Sequence, residues 1–476
     1  MTARIFQALA RHAVKTPHSA ALRSAERCID YAALVAFLAA NGDMLAGTQR
    51  VIGINTADPL DAALADLALV YYGHVPVHLP PFFSVAQKAH IITTTGMDIV
   101  VGDAVAGAKA MQLCRPEDSR SLAALAPPVA NARRIIFTSG SSGQPRGVVI
   151  GEQQMAAALD GLEKAIRPDV SDIHLSLLPM AQLLEQIAGL YLPLLAGAQV
   201  RFCPEALPAL FGGPMAPVLA ALHDAQPTST ILVPAFLARL VSGLRATGRR
   251  APDSLRLIAV GGAATSPALL ADAISEGLPV YEGYGLSECC SVVSLNRPGT
   301  ARAGTVGTVL DGVGVRIENG EIVVSGPTVM DGYLGQPSVT GDWYTGDLGR
   351  IEDGRLIVEG RKDWLIVTPQ GRNINPEWVE ACLCADPRIP AAGLHLDADG
   401  QLTIIAAVAA RIERDEVARL LAPLPAYARP SRVIFVPAAQ DGLLKPGVGI
   451  DRNQLAHLAA TYPSHPLFHD TKECIA

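Results

Sequence analysis

The densest set of groups able to do chemistry lies in Ile135–Gly147, reading IIFTSGSSGQPRG. Ile135, Ile136 and Phe137 read as a short buried strand. The strand opens into Thr138, Ser139, Gly140, Ser141, Ser142 and Gly143, then Gln144, Pro145, Arg146 and Gly147. Glycines let backbone amides approach an anion with no Cβ in the way. The hydroxyls add donors, and Arg146 adds a fixed positive fork suited to phosphate. The pattern predicts a loop for a polyphosphate. A surface turn would share the glycines and serines, but the strand in front and Pro-Arg-Gly behind favour phosphate. It is not a Walker A loop, because no GK[ST] follows.

Three further stretches carry candidate groups. Leu257–Val260 reads as a strand entering Gly261, Gly262, Ala263 and Ala264, a turn that lets a flat ring approach the backbone. A tight strand–helix turn, with Ser266 capping the next helix, is the plainer reading. Tyr281–Glu288, YEGYGLSE, has the wrong spacing for a dinucleotide fingerprint. Asp347 sits in WYTGDLG, where a lone aspartate is ordinarily a turn residue.

Taken in order, these stretches resemble the motifs of the adenylate-forming superfamily of acyl-CoA synthetases, peptide-synthetase adenylation domains and luciferases. The resemblance covers nearly the whole chain. It implies that the Thr138–Gly143 loop holds phosphates and that Gly261, Gly262 and Ala263 border adenine and the substrate carboxylate. Glu282, Gly283 and Tyr284 would belong to the nucleotide site, with Tyr284 stacked on adenine. Ser287 would contact the α-phosphate and Glu288 would hold Mg²⁺, a hard cation suited to a carboxylate. Asp347 would accept both ribose hydroxyls, and Arg361 would touch ribose or phosphate.

The stretch Leu177–Ala198 resembles the acyl tunnel of long-chain fatty-acyl-CoA synthetases. There a histidine commonly follows the Leu-Pro pair; here Gln182 stands in that place. Gln182, Gly189 and Gly285 are assigned to the acyl pocket. Glu185, the only charged residue of the stretch, reads as solvated on an otherwise core helix. GRKDWLIV, Gly360–Val367, resembles the family hinge, with Asp363 as pivot. Thr368–Glu380 resembles the loop that forms the pantetheine tunnel, including Gly371 and Arg372.

The chain departs from the family at three places. Arg146 stands where the motif usually has lysine, and Gln182 replaces the histidine. Near the C-terminus the family carries a lysine that bridges carboxylate and α-phosphate. In GLLKPGVGIDR, aligned on Arg452, that position is Gly449, and Lys445 lies four residues earlier. Either Lys445 reaches in through a local rearrangement, or adenylation is impaired. Losing one preorganised charge stabiliser costs roughly 10²–10³ in rate.

The implied activity is an acid–thiol ligase with Arg146, Ser287, Glu288 and Lys445 in the catalytic set. It would use ATP and Mg²⁺ to activate an apolar carboxylic acid, fatty or aryl, and release AMP. The acceptor would be the pantetheine thiol of CoA or of an acyl carrier protein. The alternative is an ATP-independent acyltransferase between CoA and a carrier protein, and a non-catalytic nucleotide or acyl sensor is a third reading.

Such groups need a large scaffold. At 476 residues the chain is too long for one ordinary core. The expected fold is α/β: a large N-terminal domain, 1–360, of doubly wound, mostly parallel sheets with a β-rich subdomain. A hinge at 361–363 would join it to a small α+β domain, 364–476. Helices are expected over Ile5–Val14 and Tyr31–Leu45, then strand and helix alternate from Val51 to Val101. With 50% hydrophobic and 17% charged residues the chain reads as a well-packed enzyme. Its net charge of −7 gives no footprint for nucleic acid. Eight cysteines without a metal-like CxxC pair suggest reduced thiols in a cytoplasm. No secretory signal is read at Met1–Ala20, and Asp66 interrupts the longest apolar candidate, so no membrane span is expected.

Overall fold

The computed structural model describes residues 1–115, 128–129, 133–139, 145–368, 372–397, 399–438, 444–445 and 449–467. At 139, 373, 444–445 and 449–450 the backbone alone is described.

The strand–helix alternation of the first hundred residues folds as expected. Asp58 accepts amide hydrogens from Leu60 and Asp61 at the start of the helix Pro59–Tyr71, with Pro59 in its first turn. Ser84 and Gln87 form a reciprocal capping box at the start of Val85–Thr95, and Gly96 closes that helix at φ +65°. Strands Val51–Asn55, Val75–His78, Ile99–Gly102 and Lys109–Met111 make one parallel sheet. A second sheet is parallel through Ala20–Arg23, Gln199–Phe202, Ile173–Ser176, Ser229–Leu232, Leu257–Val260 and Val280–Tyr284. Its two ends are extended by antiparallel strands. The β-rich region is an antiparallel meander of Gly314–Glu318, Glu321–Ser325, Trp343–Glu352 and Arg355–Arg361. Beyond it, Ala391–Leu396, Leu402–Val408, Arg432–Pro437 and Ser464–Pro466 form a separate sheet with its own buried cluster. The fold is α/β, as the motif order implied. Among the described residues no helix is long and apolar enough to cross a membrane.

Three local expectations need correction. The helix from Tyr31 ends at Ala40, and Gly42–Leu45 is a separate turn. Buried Asn41 interrupts it by turning its amide onto the Phe37 carbonyl at 2.9 Å. Val14, expected on the buried face of the first helix, is 83% exposed near that helix's end. The acyl-tunnel stretch is not one α-helix: Glu185–Tyr191 is a π-helix that runs into Leu192–Ala196. Pro193 offers no N–H to the preceding turn, which favours the wider spacing. Glu185 within it is fully buried rather than solvated.

A buried polar cluster anchors the first residue of the loop strand. Arg134 reaches the two oxygens of Asp66 at 3.2 and 3.3 Å and the Tyr191 hydroxyl at 2.9 Å. It also contacts Gln186. His78 approaches Asp66 at 3.0 Å from a neighbouring strand. Burial alone would raise the Asp66 carboxyl, but Arg134 and His78 outweigh it and hold it below the usual range. Asp66 therefore stays ionised among apolar helices and locks the loop strand to both of them.

Candidate functional site

The loop strand is one arm of an antiparallel hairpin, Arg134–Ser139 against Pro145–Ile150, with Thr138 opposite Arg146. Gly140, Ser141, Ser142 and Gly143 lie outside the described residues, so the phosphate loop itself stands as an expectation. Arg146 is exposed, and its guanidinium lies 3.7 Å from the ring centroid of Tyr333. Tyr333 belongs to a short strand paired to the same hairpin, opposite Val148. The hydroxyl of Tyr333 donates to Glu288 at 2.7 Å. A flat guanidinium can stack on an aromatic face in a way a lysine ammonium cannot, which gives the Pro-Arg-Gly variant a physical partner. Tyr333 was not singled out by sequence reasoning, since a lone tyrosine in a two-residue strand carries no pattern.

Beside this set lie Tyr284, Asp347 and Arg361. Asp347 is within the long strand Trp343–Glu352, not in a turn as its context suggested. Its backbone amide donates to Thr345 Oγ1 at 3.0 Å, and that hydroxyl donates to the Ile322 carbonyl at 2.8 Å. Its carboxylate accepts from the Tyr284 hydroxyl at 2.6 Å and from Arg361 at 3.1 Å. Burial raises the Asp347 carboxyl; Tyr284 and Arg361 oppose the rise, and the charge of Glu288 adds to it. The Tyr333 hydroxyl is likewise raised by burial and Glu288, and opposed by Arg146 and Arg361. The two sets therefore act on one another electrostatically and form one site. Ser287 opens the short turn Ser287–Cys289 next to Glu288, and Cys289 and Cys290 are buried, as expected.

The glycine-rich strand ends pack closely around it. A Cβ on Gly261 would come within 3.0 Å of the Gly283 carbonyl. Gly262 turns the chain at φ +83°, and Gly262 and Ala263 are exposed. Glu282 is partly buried, and its carboxyl is pushed up to about 7 by burial, offset in part by Thr265. Gly285, assigned to the acyl pocket, has a backbone role: a Cβ there would sit 1.6 Å from the Ser291 carbonyl. Gly189 faces Glu185 and His174, which a Cβ would meet at 2.5 and 2.9 Å. Gln182 is half-buried just ahead of the π-helix.

The residues assigned to the hinge follow Arg361. Its guanidinium lies 5.7 Å from the Trp364 ring, and Arg452 lies 4.6 Å from the same ring. Arg452 also makes a two-pronged contact with Glu380 at 2.9 and 2.7 Å. Asp363 is exposed in the turn Lys362–Trp364. Arg372 is exposed, 5.8 Å from the Tyr427 ring, whereas Gly371 lies outside the described residues. Leu444–Lys445 and Gly449–Ile450 pair antiparallel, with Lys445 directly opposite Gly449. Trp364 and Glu380 were not assigned a role from sequence.

Glu288 suits one ligand position on Mg²⁺, since a partly buried carboxylate is a hard oxygen donor. Among the described residues no three His, Cys, Asp or Glu gather as a metal site. An ion here fits best when the triphosphate supplies further oxygens, the usual arrangement for Mg²⁺.

A family model described as "AMP-binding enzyme" matches residues 9–334, more than half of the chain. The chain belongs to the AMP-binding enzyme family. The 2-succinylbenzoate–CoA ligase of Bacillus licheniformis is 31% identical over 289 residues, covering 56% of this chain and 56% of that one. This AMP-binding enzyme thus spans about half the length of that curated relative. Among solved structures, ATP-bound MatB from Rhodopseudomonas palustris superposes with a TM-score of 0.77 at 25% identity, over 96% of this chain and 99% of the other. The O-succinylbenzoate coenzyme A synthetase of Bacillus subtilis, in complex with ATP and magnesium ion, gives 0.76 at 22% identity, over 94% and 99%. These likenesses establish the fold of the AMP-binding enzyme.

Proposed function

We propose that this AMP-binding enzyme is an acid–thiol ligase. A carboxylate oxygen of the acid attacks the α-phosphorus of ATP, and pyrophosphate leaves with its bonding pair. A thiolate then attacks the acyl carbon of the adenylate, a thioester forms, and AMP leaves. The observation that carries the reading is the contact of Arg146, Tyr333 and Glu288 beside Tyr284, Asp347 and Arg361. Asp347 would accept the ribose hydroxyls in place of the Tyr284 bond, with Arg361 alongside. Ser287, Arg146 and the Thr138–Gly143 loop would face the phosphates. Glu288 would hold Mg²⁺, which neutralises charge on the leaving pyrophosphate when bound.

Lys445 would supply the charge bridging carboxylate and α-phosphate. Its place opposite Gly449 in the hairpin supports this over impaired adenylation and over the ATP-independent acyltransferase. Residues 1–360 and 364–476 would act as two domains pivoting at Asp363. Gly371 and Arg372 would line the thiol's path. CoA is the favoured acceptor, in keeping with the name of the relative from B. licheniformis.

The test is to mix the protein with ATP, Mg²⁺ and a panel of fatty and aryl acids, with CoA or a phosphopantetheinyl carrier protein. Pyrophosphate, AMP and an acyl thioester in equal amounts are expected. Acyl transfer from acyl-CoA to the carrier protein without any ATP requirement would overturn the reading.

A further inference from the structure

Two arginines meet one indole beside the nucleotide site. The Arg361 guanidinium lies 5.7 Å from the centroid of the Trp364 ring, and the Arg452 guanidinium lies 4.6 Å from it. Both are within reach of the attraction between a cation and an aromatic face, for which tryptophan is the best ring. Trp364 closes the short turn Lys362–Trp364 and is half-buried. Arg361 ends the last strand of the meander, Arg355–Arg361. Arg452 opens the turn Arg452–Gln454, just after the strand Gly449–Ile450.

Each arginine is also fixed by a carboxylate. Arg361 donates from Nη1 to Asp347 at 3.1 Å and to the Thr345 carbonyl at 3.2 Å. Arg452 donates to Glu380 from both terminal nitrogens, and Glu380 also accepts from the Leu394 amide at 2.8 Å. Contacts therefore run without a break from the strand Ala391–Leu396 through Glu380, Arg452, Trp364 and Arg361 to Asp347. Glu377 lies in the same neighbourhood. Burial raises its carboxyl, Arg452 and Arg361 ease it back, and Glu380 and Asp347 add to the rise.

Hydrogen bonds alone leave Arg361 loosely oriented. Among the described residues its bonds to Asp347 and Thr345 both start from Nη1, and its Nε is buried without a hydrogen-bond partner. A guanidinium pinned at one nitrogen can swing about that atom, and a flat ring against it restricts the swing. Gly346, at φ +74°, makes room for the third nitrogen: a Cβ there would come within 3.3 Å of Arg361 Nη2. Two cations at one ring repel each other, and Asp347 and Glu380 offset that repulsion.

We propose that Trp364 is a positioning residue for the nucleotide: its ring, braced by Arg452, keeps the Arg361 guanidinium on Asp347. Nucleotide affinity then depends on an indole and on the Arg452–Glu380 ion pair, both beyond Arg361 from the carboxylate assigned to the ribose. The proposal rests on the reading above that Asp347 and Arg361 take the ribose, and it adds the residue that fixes them. Such coupling is reciprocal, so a nucleotide on Asp347 steadies Arg452 by the same factor. Arg452 continues the strand that pairs with Lys445, so the ring also ties the segment expected to bring the bridging charge to the nucleotide site.

The experiment is calorimetric titration of AMP into the parent, Trp364→Leu, Trp364→Phe, Arg361→Met and the double variant Trp364→Leu with Arg361→Met. Trp364→Leu is expected to weaken AMP binding about fivefold, the size of one partly buried cation–π contact, and Trp364→Phe, which keeps an aromatic face, about twofold. In the Arg361→Met background Trp364→Leu should have no further effect, because the ring acts only through that guanidinium. A ring that merely supports the local fold would weaken AMP by the same factor in both backgrounds, and that result overturns the inference. Parent-like affinity in Trp364→Leu also overturns it, and weakened binding in Arg361→Met then leaves the nucleotide site standing. Arg452→Met keeps the ring and gives a second comparison if Trp364→Leu does not fold: it should weaken AMP only while Arg361 is present. No AMP binding by the parent would overturn both the site and the inference.

Discussion

The Tyr333 hydroxyl donates to Glu288 at 2.7 Å while its ring lies under the Arg146 guanidinium. One side chain thus orients both the carboxylate expected to hold Mg²⁺ and the cation expected to face the phosphates. Tyr333→Phe keeps the stack and removes the hydroxyl. We expect it to lower the exchange rate about tenfold and to raise the Mg²⁺ concentration needed for half-maximal rate. Tyr333→Ala should cost more, since it frees Arg146 as well. A magnesium titration of the exchange rate for both variants checks this. An unchanged magnesium dependence in Tyr333→Phe would remove Tyr333 from the site.

Asp347 is held by Tyr284 and Arg361. Asp347→Asn should weaken ATP and AMP binding by about 1.5–3 kcal/mol, the range for hydrogen bonds to a charged group. Calorimetric titration of AMP reads this directly. Thermal stability should change little, because the asparagine carbonyl can still accept from Tyr284.

Glu282 and Glu377 both carry carboxyls pushed up to about 7 by burial. The folded protein therefore binds these protons more tightly than the unfolded chain, whose carboxyls titrate near 4.5. The stability they confer is complete below the unfolded value and is lost as pH rises from there to about 7. Glu282→Gln removes one such loss. Since the side chain is only partly buried, the variant should gain roughly 2 kcal/mol over the parent above pH 7 and almost nothing at pH 4. Denaturant unfolding at the two pH values tests the sign.

Asp66→Ala leaves Arg134 buried without its counter-ion. Breaking a buried pair from one side costs about 3–5 kcal/mol. The variant should unfold at markedly lower denaturant concentration than the parent. Because Arg134 begins the loop strand, nucleotide binding should weaken as well. Asp66→Ala with parent-like stability would mean that the cluster holds nothing in place.

Much of this arrangement was legible in the chain because local chemistry and motif order agree. Asp58-Pro59, Ser84 and Gly96 each fix a helix end through near neighbours, which is why the strand–helix alternation from Val51 to Val101 could be read. The β-rich subdomain expected from the sequence corresponds to the antiparallel meander. What could not be read depends on contacts distant in sequence. Glu185 looked solvated because nothing near it in the chain reveals that a π-helix turns it inward towards His174. Tyr333 meets Glu288 and Arg146 only once a two-residue strand has joined the hairpin. Asp347 looked like a turn residue because its glycine neighbour suggests one, although the strand continues through it. The opposition of Lys445 and Gly449 follows from hairpin pairing, whereas an ungapped alignment counts along the chain and places them four residues apart.

The most direct measurement is ATP–pyrophosphate exchange by the parent, Lys445→Ala and Gly449→Lys, with the best acid of the panel. The account expects exchange by the parent, a fall of roughly 10²–10³ in Lys445→Ala, and no large gain in Gly449→Lys. No exchange by the parent, with exchange gained in Gly449→Lys, would contradict it and mean that the fold persists while the adenylation step has been lost.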